Sequence, residues 1–144
     1  MVAGGSDGIG VGFARSLAAR GLSLVLVFRR ATVLDAFAHE VRGAYPVEVR
    51  TVVLDLSEAR AMARLAAEAA DFEVGLFVAN AGGDDPAMFL ERNLETHLAL
   101  VQRNCSSVLD GRYQYRYTYY IESLRSLSGS SRSAHLRDRR DGRG

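Results

Sequence analysis

Apolar residues fall in two habits along this chain. They form short unbroken runs, or they return every three or four positions. The run Leu22-Ser23-Leu24-Val25-Leu26-Val27-Phe28 reads as a strand buried on both faces. Ahead of it, Ile9, Phe13 and Leu17 recur at i, i+4 and i+8 beside Ala14 and Ala18, which predicts a helix with Gly21 as its C′ glycine. Behind it, Val33, Phe37 and Val41, with Leu34, predict a second helix reaching about Tyr45, where Pro46 stops it. Thr32 and Asp35 have capping-box spacing at its start. Val47, Val49, Val52 and Val53 predict a third strand over 47–54. Ser57 is placed as N-cap of a helix through Ala70, with Met62, Leu65, Ala66 and Ala69 inward. A fourth strand over 74–78 closes on Ala79-Asn80-Ala81-Gly82-Gly83, and a polar loop with Asp84, Asp85 and Pro86 follows. A long helix over 90–109 then places Leu90, Leu94, Leu98, Val101, Cys105 and Val108 inward. Strand alternating with helix predicts an α/β fold with a parallel sheet and right-handed crossovers.

The first turn carries the chemistry. Ala3-Gly4-Gly5-Ser6-Asp7-Gly8-Ile9-Gly10 holds four glycines in eight residues and opens the first helix. Without Cβ atoms at 4, 8 and 10, the chain turns tightly and an anionic group reaches the free N–H groups at the helix start. Glycine turn, helix and hydrophobic strand make most of a dinucleotide-binding unit, so the expected architecture is a Rossmann-like doubly wound sheet. It reads as incomplete. Only Met1-Val2-Ala3 precede the turn, and later strands are missing. Either those three residues pair as a stub or the true first strand lies outside the chain; the second reading, a fragment, is preferred. Arg29 follows the second strand, where a NAD site wants an acid for the ribose 2′-hydroxyl and an arginine accommodates a 2′-phosphate. NADP is therefore expected over NAD.

Composition narrows the field. A chain of 144 residues, 48% of them hydrophobic, is one globular domain, and a net charge of +1 argues for neither nucleic acid nor membrane. The single cysteine, Cys105, excludes an intrachain disulfide and a Cys-based metal site. His39, His97 and His135 share no metal-ligand spacing. No long apolar run or signal peptide is read, so a cytoplasmic protein is expected. All 18 basic residues are arginine, and the absence of lysine removes every mechanism that needs one. Residues 110–144 differ from the rest: they hold five of the six tyrosines and eight arginines against four acids. Residues 1–109 are read as a partial dinucleotide-binding domain and 110–144 as a disordered Arg/Ser/Tyr-rich tail, of the kind a shifted reading frame produces.

These residues resemble the short-chain dehydrogenase/reductase family. Gly4 to Gly10 is similar to its Thr-Gly-x-x-x-Gly-x-Gly turn, with Ala3 in place of threonine, and Asn80-Ala81-Gly82 to its Asn-Asn-Ala-Gly motif, with Ala79 in place of the first asparagine. The resemblance implies that Gly4, Ser6, Asp7, Gly8, Ile9 and Gly10 cradle the cofactor, and that Asn80, Ala81 and Gly82 line its pocket. It also sets Asp55 and Leu56 against the adenine and makes Asn104 the asparagine of a catalytic tetrad. Asp55 equally reads as a strand-end polar residue beside the Ser57 cap. The resemblance then stops: the family's serine and its Tyr-x-x-x-Lys pair are absent, Tyr113, Tyr115 and Tyr117 being followed four residues on by Tyr117, Tyr119 and Ile121. The expectation is an oxidoreductase fragment that binds NADP and has no activity of its own, acting in its intact family on carbonyl or alcohol substrates. Two alternatives remain. A methyltransferase binding S-adenosylmethionine would want an acid at Arg29, and a non-catalytic scaffold or homo-oligomer would use an exposed helix 90–109.

Overall fold

The computed structural model describes residues 1–83 and 87–115. Four parallel strands, β1 (Val2–Ala3), β2 (Leu24–Phe28), β3 (Val49–Val53) and β4 (Val78–Ala79), lie in the order β3-β2-β1-β4. Three helices connect them: α1 (Gly8–Ala18), α2 (Ala31–Ala44) and α3 (Ala61–Glu68). After a 3-10 turn at Phe89–Glu91, α4 (Leu94–Val101) passes through a π turn, Gln102–Ser106, and residues 107–115 continue as helix.

Val2 and Ala3 do pair as a short stub of strand. β1 is central: Val2 pairs with Leu26 and Val78, and Ala3 with Val27 and Ala79. The ladder is completed by Gly4 N to Val27 O at 2.9 Å, Val78 N to Met1 O at 2.9 Å and Asn80 N to Ala3 O at 3.2 Å. Both β1 side chains are almost fully buried. β2 shows why it reads as an unbroken apolar run. Leu24 and Leu26 join the core beneath α1 and α2, whereas Val25 and Val27 join the one beneath α3.

Several local expectations shift. The buried stripe of α1 is Gly10, Ala14, Leu17 and Ala18, not Ile9 and Phe13, which are exposed because the glycine turn brings Gly10 against the sheet end. α2 begins at Ala31 with Arg30 in the cap position, so Thr32 caps nothing; Leu34, Phe37, Ala38 and Val41 are its buried face. Ser57 does not cap α3. It donates to Asp55 from its backbone N and its Oγ, and α3 starts after Arg60, which holds a left-handed φ of 62°. The fourth strand is displaced from 74–78 to Val78–Ala79, since only there does β1 offer a partner.

The largest revision concerns the long helix. Leu90, Leu94, Leu98, Val101 and Cys105 are exposed, not inward. The side facing the core includes Ser107 and Gly111, both buried. A Cβ on Gly111 would lie 2.3 Å from Cε1 of Phe77, so only glycine lets the helix approach that ring. Gly111→Ala is expected to destabilise the fold by about 1–3 kcal/mol through overpacking, read as a lower urea midpoint at constant m-value. Residues 110–115 of the expected tail belong to this helix, and Tyr115 stacks on Phe77 with ring centroids 5.2 Å apart. The remainder of the tail, 116–144 with His135, and the loop residues 84–86 lie outside the described residues.

Candidate functional site

α1 and α2 turn the chain one way from β1, and the crossover through α3 brings it back to the other side. Between β1 and β4 the strand order therefore reverses, which leaves a crevice at the carboxyl ends of the strands. A cleft of about 390 Å³ occupies that place.

Its floor is the glycine turn. Gly4 has φ +75° and Gly8 φ +54°, conformations that side-chain-bearing residues rarely adopt. A Cβ on Gly4 would stand 2.9 Å from Ala81 N and Cα, and one on Gly10 would stand 1.9 Å from Gly4 O. The turn is thus packed against the segment after β4, and Asn80 fastens the two, its Nδ2 donating to Gly4 O at 3.1 Å. Asp7 caps α1 by accepting from Gly8 N at 2.8 Å and also pairs with Arg30 at 2.8 Å.

The walls are mixed in charge. Arg29 and Arg30 stand at the end of β2, Arg30 over the Phe28 ring at 5.2 Å from its centroid. Asp55 accepts from Ser57 N at 2.9 Å and Ser57 Oγ at 2.7 Å. Burial is the largest influence on its carboxyl and raises its pKa. The two Ser57 hydrogen bonds and the positive charges of Arg29 and Arg103 together outweigh it, so Asp55 titrates below the ordinary carboxylate range. Asp55 thus orders the turn after β3 and lines the cleft.

Of the residues singled out in the sequence, Gly4, Asp7, Gly8, Ile9, Arg29, Asp55, Leu56, Asn80, Ala81 and Gly82 line this cleft together. Ser6 and Gly10 do not; both are buried behind the turn, and Ser6 Oγ has no hydrogen-bond partner. Asn104 also lies off the cleft. Its Oδ1 accepts from Gly83 N at 3.0 Å and its Nδ2 donates to Gly83 O at 2.8 Å, so the side chain clamps the loop after β4. Asn104→Ala is expected to free that loop, with amide exchange at Gly83 accelerating by roughly tenfold while β2 amides are unchanged. Sequence reasoning missed Val27, Phe28, Arg30, Leu54, Gly83 and Arg103 in the lining. Arg30 was signalled by its neighbour Arg29. Arg103 had no signal, because the π turn that presents it leaves no mark in the apolar spacing.

The residues present fit a dinucleotide. A turn without side chains at Gly4 and Gly8, opening on the N-terminus of α1, suits a pyrophosphate, and the arginines beyond β2 suit a further phosphate.

Comparison with known proteins agrees. The profile of a family described as short chain dehydrogenase matches residues 1–115. A very-long-chain 3-oxoacyl-CoA reductase of Podospora anserina is 35% identical over 114 residues, covering 76% of this chain and 34% of its own. Among solved structures, an alcohol dehydrogenase from Thermococcus sibiricus, complexed with 5-hydroxy-NADP, is 30% identical with a TM-score of 0.71, covering 81% of this chain and 52% of that one. A short-chain dehydrogenase from Sphingobium yanoikuyae in complex with NADPH is 27% identical with a TM-score of 0.71, covering 87% and 49%. The chain spans between a quarter and about a third of the length of such curated relatives, 26% for the reductase of Macaca fascicularis.

Proposed function

This chain belongs to the short-chain dehydrogenase family, and from that premise we propose that it is the NADP(H)-holding portion of an oxidoreductase that interconverts carbonyl and alcohol groups. The observation that carries the proposal is the joining of Gly4, Gly8, Asn80 and Arg29 around one cleft at the mouth of α1. Family membership removes the methyltransferase alternative.

In this reading the amides opening α1 receive the pyrophosphate, Arg29 meets the 2′-phosphate, and Asp55 with Leu56 borders the adenine. Asn80 holds the glycine turn in shape from β4, and Asn104 positions Gly83 at the cleft's edge. A nicotinamide held there would supply hydride transfer. Proton transfer to the carbonyl oxygen is a task for which the 144 residues offer no Tyr-x-x-x-Lys pair, because the sequence has no lysine. We therefore propose that this polypeptide binds NADPH without turning over a substrate. For an intact oxidoreductase of this kind the substrate class we favour is a 3-oxoacyl thioester, after the named activity of the Podospora anserina relative. A cytoplasmic location belongs to the same reading, and cell fractionation tests it.

The expected result is a rise in melting temperature with NADPH that exceeds the rise with NADH, together with no NADPH oxidation in the presence of 3-oxoacyl-CoA. Absence of any shift with either nucleotide defeats the binding proposal. Measurable oxidation defeats the inactivity proposal.

A second reading is favoured by one observation. Leu90, Leu94, Leu98 and Val101 expose more than half of their surface along one side of the 90–109 segment. We propose that this side pairs with a second copy of the chain, and sedimentation of a strict monomer at micromolar concentration would end that proposal.

A further inference from the structure

Arg103 lines the same cleft as Asp55 and forms no ion pair with it. The π turn Gln102–Ser106 carries it. In a regular helix, neighbouring side chains point about 100° apart. Here the wider turn lets two successive residues serve one loop: Asn104 bonds the Gly83 backbone, and a Cβ built on Gly83 would lie 3.1 Å from Arg103 Nη2. The guanidinium therefore rests on glycine backbone where a side chain would displace it. Its Nε is buried and has no hydrogen-bond partner. Among the described residues it forms no ion pair, although its charge is felt at Asp55.

An acid and a guanidinium that line one cleft without pairing can accept a group that carries a donor beside an acceptor. The 6-amino edge of a purine is such a group: its exocyclic amine donates and its neighbouring ring nitrogen accepts. Leu54 and Leu56, on the same wall as Asp55, supply an apolar surface for the ring. We propose that Arg103 reads the base of the bound nucleotide, donating to an adenine ring nitrogen while Asp55 accepts from the amine. The inference rests on the nucleotide site proposed above and deepens it. It separates Arg103 from Arg29, whose role depends on the 2′-phosphate. A 6-oxo purine turns an acceptor toward the Asp55 carboxylate, so the pair discriminates against hypoxanthine.

The test is calorimetric titration of the full chain with 5′-AMP, 5′-IMP, adenosine 2′,5′-bisphosphate and nicotinamide mononucleotide. Wild type should prefer 5′-AMP to 5′-IMP. Arg103→Ala should weaken 5′-AMP and the bisphosphate by the same factor, on the order of tenfold. It should leave nicotinamide mononucleotide unchanged and shrink the preference for 5′-AMP over 5′-IMP. Arg103→Met, which keeps an apolar stem over Gly83, should behave alike, so that loss of fold in one variant does not decide the matter. Loss confined to the bisphosphate would make Arg103 a phosphate ligand and overturn the inference. Undiminished 5′-AMP binding in either folded variant would reduce Arg103 to packing on Gly83 and overturn it too. Failure of wild type to bind any adenine nucleotide would instead defeat the cofactor proposal, and this inference with it.

Discussion

Gly10→Ala is expected to abolish NADPH binding and to destabilise the protein by about 3 kcal/mol, at the upper end of overpacking costs. The added methyl would stand 1.9 Å from the carbonyl oxygen of Gly4 and 2.7 Å from Asn80 Nδ2. Neither neighbour yields cheaply. The carbonyl belongs to a backbone whose amide is bonded to Val27 O, and the Asn80 amide is the tie between β4 and the turn. Relief requires α1 to tilt away from β1, which opens the cradle and misaims its amides. Gly12→Ala is the control: two residues further along the same helix, its Cβ meets nothing within 4 Å. There the gain in helix propensity should stabilise the chain by roughly 0.5–1 kcal/mol. Chemical denaturation and NADPH titration of the two variants check both outcomes, and a Gly10→Ala protein that melts and binds like wild type contradicts the packing argument.

The second large effect is at Arg29. Arg29→Ala should weaken NADPH by roughly 10- to 100-fold and leave NADH nearly unchanged, the loss of a charge-assisted hydrogen bond to one phosphate. Arg29→Asp should go further and favour NADH, because a carboxylate at the end of β2 accepts from the ribose 2′-hydroxyl and repels a phosphate. Arg30 should matter less, since Asp7 already neutralises it at 2.8 Å in the exposed mouth of the cleft. If Arg30→Ala costs NADPH more than Arg29→Ala does, the 2′-phosphate belongs to Arg30, and Asp7 must release it on binding.

How far the chain could be read from its residues follows from the range of the forces involved. β2 and α2 declared themselves because each buries a full face through its own apolar period: Leu24 to Val27 alternate between two cores, and Leu34, Phe37 and Val41 form one stripe. The glycine turn was equally plain, since positive φ at Gly4 and Gly8 is a local demand. The helix after β4 misled for the converse reason. Its strongest stripe, Leu90 to Val101, faces out, while the sheet side is held by Ser107, Gly111 and the Asn104 clamp. Apolar period names a face that wants covering; it does not say which neighbour covers it. Thr32 and Ser57 failed in a smaller way. Their capping signals were outvoted by where the sheet lets each helix begin, and Ser57 found a better partner in Asp55.

Residue order alone therefore determined the alternating α/β plan, the anion-seeking turn at 4–10 and the arginine beyond β2, because each depends on a few neighbouring residues and their backbone freedom. Only the tertiary structure decided the rest. It paired the two-residue β1 on both sides, turned the Leu90–Val101 stripe outward, and brought Arg103 and Asp55 into one cleft. Those outcomes depend on contacts between segments far apart in the chain, whose energies are settled when the strands assemble and not before.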